Sequence, residues 1–303
     1  IRDDVESRGL GDVYKRQPYV RGTRCHNRWL VHQTLAVGCP AQANAEALKI
    51  LNAGVDSLGF CITAEEFSAA DLETLLRDIC LTAVEVTFCG CHMARIAGLV
   101  MDKIEKEQLP AEQLHINFCI DPLILGLSVK GTFCTGNGEQ CFAKIAELVR
   151  RTAGYKGIRV VNVSGETFSN AGSTIVEELA FTLAAGHDYL VRLMESGLSV
   201  DEAARKLRFS MAVTANYFME MAKFRAARML WANIVKAYQP AKECAGKMFT
   251  HAVTSRWNQT VYDPYVNMLR GTTEAMSAAI AGVHSLEAVS YTHLRAHETR
   301  RHL

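Results

Sequence analysis

The sequence has no excess of either charge, because 33 Lys and Arg residues stand against 32 Asp and Glu residues in a chain of 303. Proteins that follow nucleic-acid phosphates cluster Lys and Arg on one surface, so this balance argues against a nucleic-acid partner. The chain also lacks a run of 18 apolar residues, since its best stretch, 116–129, is interrupted by Asp121 and Pro122. We therefore expect no membrane span.

Cysteine is present but sparse, with ten residues in the whole chain. Several of them, including Cys61, Cys89 and Cys119, lie in apolar runs that are typical of strands, where a free cysteine behaves as a small buried hydrophobe. No secretory apolar segment opens the chain. We therefore expect reduced thiols and a cytoplasmic location rather than a disulfide scaffold.

The two ends differ in character from the middle. Residues 1–17 and 290–303 are polar and charged without apolar periodicity, and both resemble translated sequencing-adapter sequence. We expect an artefact segment at 1–17, one barrel domain at 18–289 and a second artefact segment at 290–303. We assign no metal ligands, because the histidine-rich tract of the chain falls in the last of these segments.

The middle of the chain alternates short apolar runs with amphipathic helical patterns. The predicted strands are 57–62, 83–89, 115–120, 158–163, 208–213 and 247–253, with the start of a seventh at 285–289. Serial strand–helix repetition with apolar strands predicts an α/β fold with a parallel sheet covered by helices. The spacing favours a (β/α)₈ TIM barrel over a doubly wound sheet, which a G-x-G-x-x-G turn would have indicated. The strand count predicts a barrel truncated after about six strands, whose open edges would make the chain aggregate.

Barrel chemistry belongs on the loops that follow the strands. After the strand at 158–163 comes a long polar turn in which Glu166 is either a general base or a solvated carboxylate. The stretch 250–257 gathers a histidine, hydroxyls, a cation and an indole. Glu220 and Lys223, three residues apart in a long helix, are typical of a surface ion pair. The chain has no P-loop, H-E-x-x-H helix or Ser-His-Asp order.

Five stretches of the sequence resemble the methylmalonyl-CoA mutase family, in family order. They are WLVHQ (29–33), NAG with ELA (170–172 and 178–180), FMEMAKFRA (218–226), THAVTSRW (250–257) and TTEAM (272–276). The resemblance implies a (β/α)₈ barrel through which an acyl-CoA threads, followed by a cobalamin-binding domain. It also implies a radical rearrangement of methylmalonyl-CoA to succinyl-CoA with adenosylcobalamin as the radical source.

The departures from the family pattern fall at the reacting centre. Catalytic members carry a Tyr-His pair after Ser-Gly at the strand 158–163, and its His hydrogen-bonds the thioester carbonyl of the substrate; this sequence has Glu166 and Thr167 there. Catalytic members also carry a Tyr after the Gln that corresponds to Gln33, and this sequence has Thr34. Catalytic residues are therefore not assigned, and Gln33 and Thr34 are only candidate substrate contacts.

Further departures concern the binding of the substrate and the cofactor. An Arg and a Ser that contact the substrate in the family correspond to Lys206 and Arg208, which are candidate substrate-binding residues here. The cofactor-contacting His of the family is matched by His251, but the Gln nearby is Val253. The lower-ligand motif D-x-H-x-x-G of the cobalamin domain does not occur, so we expect no cofactor on this fragment.

These substitutions resemble the small subunit of the heterodimeric mutase, which supports a catalytic large subunit that binds adenosylcobalamin. Two alternatives stay open. The chain could be a catalytic mutase with altered acyl-CoA specificity that uses Glu166 or His251, or a regulatory barrel that binds an acyl-CoA.

Overall fold

The structure is a computed structural model that describes residues 19, 28–64, 66–90, 92–123, 138–260 and 264–288. Both segments expected to be artefacts, 1–17 and 290–303, lie outside the described residues. The strands are β1 (Leu30–Val37), β2 (Ser57–Ile62), β3 (Glu85–Gly90), β4 (Ile116–Ile120), β5 (Ile158–Ser164), β6 (Leu207–Val213), β7 (Thr250–Thr254) and β8 (Ser285–Glu287). They follow one another in sequence order in a closed parallel barrel.

Helices lie between the strands, as a (β/α)₈ barrel requires. They are α1 (Pro40–Asn52), α2 (Ala69–Leu75), α3 (Met93–Lys106), α4 (Gly138–Arg151), α5 (Glu166–Asn170), α6 (Ile175–Glu195), α7 (Val200–Arg205), α8 (Tyr217–Ala237) and α9 (Pro264–Ala281), with a 3₁₀ turn at Glu243–Gly246. Two of the short helices begin at a serine whose hydroxyl accepts from the backbone three residues on, in capping boxes with Asp71 and Glu202. No helix in the described part of the chain is long and apolar enough to cross a membrane.

The predicted fold class is confirmed, but the prediction that the barrel stops after about six strands was wrong. The described residues contain eight strands, and the missed one is β1, whose apolar run is interrupted by His32, Gln33 and Thr34. The open edges expected from an unfinished sheet are absent from the described barrel, so the expectation of aggregation loses its physical reason.

The contacts within the chain group it into two compact units. The first unit consists of 30–162 and 188–208, and the second of 1–29, 163–187 and 209–303. In the first unit, β2, β3 and β4 each contribute one buried phenylalanine, and the three are register partners: the rings of Phe60 and Phe88 lie 6.1 Å apart, and those of Phe88 and Phe118 lie 6.0 Å apart. In the second unit the ring of Phe209 packs edge-on against Trp231 at 4.7 Å.

The turn after β3 depends on a glycine. Gly90 has a φ of +118°, and a Cβ there would lie 2.0 Å from the carbonyl oxygen of Ile62. Only glycine fits this close approach. Cys89 therefore lies in β3 directly before this glycine, and His92 lies immediately before α3.

Candidate functional site

A row of buried polar side chains crosses the first three strands of the first unit. The parallel register places His32 beside Ser57, and Ser57 beside Glu85. The imidazole Nδ1 of His32 lies 2.7 Å from the Ser57 hydroxyl, which donates to Glu85 Oε1 at 2.9 Å. We call these three residues the polar row. Ser57 and Glu85 are each followed in their strands by a buried apolar residue, Leu58 and Val86, whereas both neighbours of His32 in β1 are exposed.

The polar row fixes the protonation state of His32. Because the Ser57 hydroxyl gives its proton to Glu85, it can only accept from His32, so Nδ1 carries the hydrogen and Nε2 is an acceptor. Nε2 lies 3.2 Å from the hydroxyl of Thr34. Burial, together with the positive charge of Arg208, lowers the pKa of His32 to about 3. The imidazole is therefore neutral at physiological pH.

A second layer of small polar residues lies two positions further along the same strands. Thr34, Gly59 and Thr87 are register partners, and the side-chain amide of Asn117 in β4 donates to the Thr87 hydroxyl at 3.3 Å. A Cβ on Gly59 would lie 2.6 Å from the Thr34 hydroxyl and 2.8 Å from His32 Nε2. The close packing of Thr34 on the polar row therefore requires glycine at position 59. Thr34, where catalytic members of the resembling family carry a Tyr, contacts this row.

Arg208, a candidate from the sequence, is buried in β6 with 2% of its surface exposed. Its Nη1 lies 3.5 Å from the sulfur of Cys119. Its Nε and Nη2 have no hydrogen-bond partner among the residues that the structure describes. A buried guanidinium whose donors are unmatched is costly, so its surroundings suit an added acceptor or anion.

Lys206, two residues before Arg208, is engaged differently. It ends α7, and its ammonium donates to the backbone carbonyl oxygens of Thr152 at 2.7 Å, Tyr155 at 2.9 Å and Ile158 at 3.2 Å. Burial, with smaller contributions from nearby arginines, lowers its pKa to about 7. These contacts hold the turn between α4 and β5. The prediction that Lys206 binds substrate stays a prediction. Gln33, a candidate on β1 next to Thr34, is exposed.

In the second unit, His251 of β7 is the buried histidine that the sequence singled out. Its Nδ1 lies 2.8 Å from the hydroxyl of Ser285 in β8, its register partner, and its Nε2 lies 4.0 Å from a carboxylate oxygen of Glu287. Ser210 of β6 is its register partner on the other side. Val253, two residues on, is apolar where the resembling family carries an amide.

Glu166 and Thr167 lie at the carboxyl end of β5, where barrel chemistry is expected. They open the short helix α5, and both are partly exposed. The preceding Gly165 is tightly enclosed, since a Cβ there would lie 2.2 Å from the hydroxyl of Thr182. The position is therefore fixed by close packing, but the two side chains offer a carboxylate and a hydroxyl and no imidazole.

The sequence prediction misjudged one group of charges in the second unit. Glu220 and Lys223 do form an ion pair, at 2.6 Å, but both side chains are fully buried, so the predicted surface pair was wrong. Lys223 also contacts Glu178 at 2.6 Å and donates to the carbonyl of Ala212 in β6 at 2.7 Å, while Glu178 accepts from the N–H of Ala212 at 2.7 Å. We call Glu178, Glu220 and Lys223 the buried ion network.

The buried ion network carries more negative than positive charge. Burial raises the pKa of Glu178 in spite of the ammonium of Lys223. Glu274 of α9 lies close enough to feel the charge of Glu220, and its own pKa is raised to about 7 by burial first and by that charge second. The network binds both the backbone N–H and the backbone carbonyl oxygen of Ala212, next to the carboxyl end of β6.

Comparison with known proteins supplies the family. The family model described as methylmalonyl-CoA mutase matches residues 62–300. The methylmalonyl-CoA mutase small subunit of Porphyromonas gingivalis is 40% identical over 300 residues, which cover 96% of this chain and 47% of that protein. The small subunit of Streptomyces virginiae is 32% identical over 91% of this chain and 44% of its own length.

A third relative carries no subunit designation. It is the methylmalonyl-CoA mutase of Cereibacter sphaeroides, which is 42% identical over 89% of this chain and 42% of its own length. The chain thus spans about half the length of the curated relatives it matches. With the closed parallel barrel and the match of the family model over most of the sequence, the chain belongs to the methylmalonyl-CoA mutase family.

Proposed function

We propose that this chain is part of the small subunit of an adenosylcobalamin-dependent methylmalonyl-CoA mutase, and that it supports the catalytic large subunit without catalysing. The observation that carries the proposal is the pair Glu166 and Thr167 at the carboxyl end of β5. The rearrangement needs a donor to the thioester carbonyl, and catalytic members supply it with a histidine at this place. A threonine side chain is shorter than a histidine side chain, and its hydroxyl cannot take up a proton near neutral pH as an imidazole can. The relatives named small subunits support the same reading.

The residues around His251 do not fit the adenosyl group of the cofactor. One ring nitrogen of His251 is taken by Ser285 and the other faces Glu287, while the neighbouring Val253 offers no hydrogen bond. We therefore propose that adenosylcobalamin is held by the large subunit, and derive no chemical step through it on this chain. The setting we propose is cytoplasmic.

Retention of acyl-CoA binding is supported by Arg208. Its two unmatched donors belong to a guanidinium that contacts Cys119 and whose charge acts on His32, and they suit a carbonyl or carboxylate of an acyl-CoA. We propose that the barrel still takes an acyl-CoA and that Arg208 contacts it. Lys206 is a weaker candidate because its ammonium already serves three carbonyl oxygens.

The test of the small-subunit role uses the full-length protein with and without a mutase large subunit, in the presence of adenosylcobalamin and methylmalonyl-CoA. We expect turnover only when the large subunit is present, and we expect Thr167→Ala and Glu166→Gln to leave that turnover unchanged. Turnover by the full-length chain alone, lost in Glu166→Gln, would instead establish a catalytic mutase with altered chemistry.

The test of acyl-CoA binding is calorimetric titration of the full-length chain with methylmalonyl-CoA. We expect Arg208→Met to weaken binding at least tenfold. Arg192→Met is the matched control, because that guanidinium pairs with Asp188 in a partly exposed position. Equal affinities of the two variants would remove Arg208 from the binding site. Tight binding with no large subunit able to assemble would favour a regulatory barrel.

A further inference from the structure

Cys119, near the carboxyl end of β4, turns its side chain away from the aromatic packing of that strand. The ring of Phe118 stacks on Phe88 at 6.0 Å, and successive side chains of a strand point to opposite faces. Cys119 therefore shares a face with Asn117, whose amide donates to the Thr87 hydroxyl. Asn117 is buried, whereas Cys119 is partly exposed and carries a thiol rather than a disulfide. A partly exposed thiol thus lies at the end of the strand where barrel chemistry is expected.

Arg208 reaches this thiol from a strand that does not pair with β4. In the barrel order β5 separates β4 from β6, yet Nη1 of Arg208 lies 3.5 Å from the sulfur of Cys119. The charge of Arg208 also acts on His32 of β1. Side chains of strands that do not pair approach one another across a closed barrel only on its inner side. Cys119 and Arg208 therefore meet inside the barrel.

The guanidinium of Arg208 offers more donors than its protein surroundings use. Nε and Nη2 find no acceptor within the described part of the chain, although only 2% of the residue is exposed. These two nitrogens share one edge of the planar guanidinium fork and can hold one oxygen together. Such an oxygen would lie about 3 Å from them. The two side chains therefore present a sulfur and a place for an oxygen side by side.

A sulfur beside a place for an oxygen fits the thioester group of an acyl-CoA. A neighbouring cation favours the thiolate form of a cysteine, which is the form that attacks a carbonyl carbon. The attack moves negative charge onto the carbonyl oxygen, and donors already in place for that oxygen lower the barrier. Arg208 supplies both the cation and the donors.

We propose that Cys119 is an acyl acceptor, which takes the acyl group of an acyl-CoA by thioester exchange. This inference rests on the proposed binding of an acyl-CoA at Arg208. It adds a covalent step to that binding, and the step needs neither the large subunit nor its cofactor. The thiol of Cys119 is therefore a modification site of this chain.

The exchange balances without a further reactant. The thiolate of Cys119 forms a bond to the carbonyl carbon, and the π electron pair of the carbonyl moves to the oxygen held by Arg208. When that pair returns, the bond between the carbon and the sulfur of CoA breaks. CoA leaves as a thiolate and takes up the proton that Cys119 had released to water. One thioester replaces another, so free CoA reverses the step, and the acylated fraction follows the ratio of acyl-CoA to CoA.

Two other cysteines of the first unit serve as internal controls. Cys89 in β3 is partly exposed like Cys119, but it donates to the backbone carbonyl oxygen of Phe60 at 3.6 Å. Cys80 is exposed, and its hydrogen bond with the Thr82 hydroxyl lowers the pKa of its thiol. Ordinary solution reactivity, which follows exposure and thiolate content, would therefore modify Cys80 first.

The experiment incubates the full-length chain with methylmalonyl-CoA and follows acylation by mass spectrometry of the intact chain and of its peptides. We expect one acyl group per chain, mapped to Cys119 and removed by hydroxylamine or by excess CoA. At saturating methylmalonyl-CoA, we expect Cys119→Ala to abolish the modification and Arg208→Met to slow it at least tenfold. We expect Cys89→Ala, the matched control, to leave the rate unchanged.

The mapping in the wild type needs no variant, so the test stands even where a substitution prevents folding. Labelling of Cys80 ahead of Cys119, or of several cysteines together, would overturn the proposal. So would a rate in Arg208→Met equal to that of the wild type. Calorimetric binding that depends on Arg208 with Cys119 unmodified would overturn the acceptor and leave the proposed acyl-CoA binding standing. Absence of both binding and acylation would overturn both.

Discussion

Glu274 makes the stability of the second unit depend on pH in a direction opposite to that of most carboxylates. Its side chain is 1% exposed, and its Oε1 accepts from the amide of Asn258 at 2.6 Å. Burial, and then the charge of Glu220 on α8, raises its pKa to about 7, while Asn258 and the guanidinium of Arg270 on α9 act the other way. Glu220 is itself paired with Lys223, which also pairs with Glu178, so these are the other charged side chains of the buried ion network.

The sign follows from proton counting. In the unfolded chain this carboxyl has its ordinary pKa of 4.5, so between pH 4.5 and 7 the folded state holds a proton that the unfolded state has released. The contribution of Glu274 to the free energy of unfolding is therefore fully present below pH 4.5 and is lost as the pH rises through 7. A shift from 4.5 to about 7, at about 1.4 kcal/mol per pH unit, corresponds to an upper figure of about 3 kcal/mol. Partial access of water to the site would bring it nearer to about 1 kcal/mol.

The assay compares wild type with Glu274→Gln, which mimics the protonated carboxyl. Urea unfolding followed by circular dichroism is run at intervals from pH 5 to 8.5. We expect equal stability near pH 5 and a variant more stable by about 1–3 kcal/mol at pH 8. Glu112→Gln, at an exposed position, is the control. A difference that does not change with pH, or a variant that loses stability at pH 8, would refute the reasoning.

Three further substitutions test the packing of the strands and helices. Lys223→Met leaves Glu178 and Glu220 buried without a cation and is expected to cost about 3–5 kcal/mol in urea unfolding, whereas Lys236→Met, exposed on the same helix, changes little. Gly59→Ala is expected to cost about 1–3 kcal/mol, because its Cβ would meet Thr34 and His32. Gly98→Ala in α3, where a Cβ meets nothing within 4 Å, should stabilise by about 0.5–1 kcal/mol in the same assay.

The fold class could be predicted because most strands are continuous apolar runs bounded by turns. β1 was missed for a physical reason: in LVHQTLAV the polar residues alternate less regularly with apolar ones, and the buried members include His32. A strand whose inner face is polar has the composition of a loop unless its neighbours are known. The register with β2 and β3, which pairs His32 with Ser57 and Glu85, is what gives that histidine a place in a strand.

The buried ion network could have been found from spacing. Glu220 and Lys223 share a helix face with Phe224, Ala227 and Trp231, all of which are buried. The charges of Glu220 and Lys223 led to the prediction that both lie on the surface. The periodicity of the buried residues in the helix would have placed them in the core. What no spacing reveals is the third member, Glu178, which comes from another helix 45 residues away.

Lys206 and Arg208 show the limit of residue-by-residue transfer from a family. Two residues apart, they would share one face of a strand, and the sequence made them equal candidates. β6 begins at Leu207, however, so Lys206 ends α7 and turns to the backbone carbonyl oxygens after α4, while Arg208 stands within the strand. The position of a strand boundary, which sequence patterns place only to within a few residues, decides their roles.

The polar groups of the first unit therefore separate into two kinds. The polar row of His32, Ser57 and Glu85 is closed on itself: each hydroxyl or ring hydrogen has an acceptor, and the imidazole is neutral. Such a row stabilises a single arrangement of the strands. Arg208 is the opposite case, a buried cation with two unmatched donors. A ligand that enters this barrel gains most binding free energy where the protein has left a donor unmatched. We therefore expect the affinity for an acyl-CoA to depend on Arg208. We expect it to change little in variants of the polar row that keep its hydrogen bonds, such as Ser57→Thr.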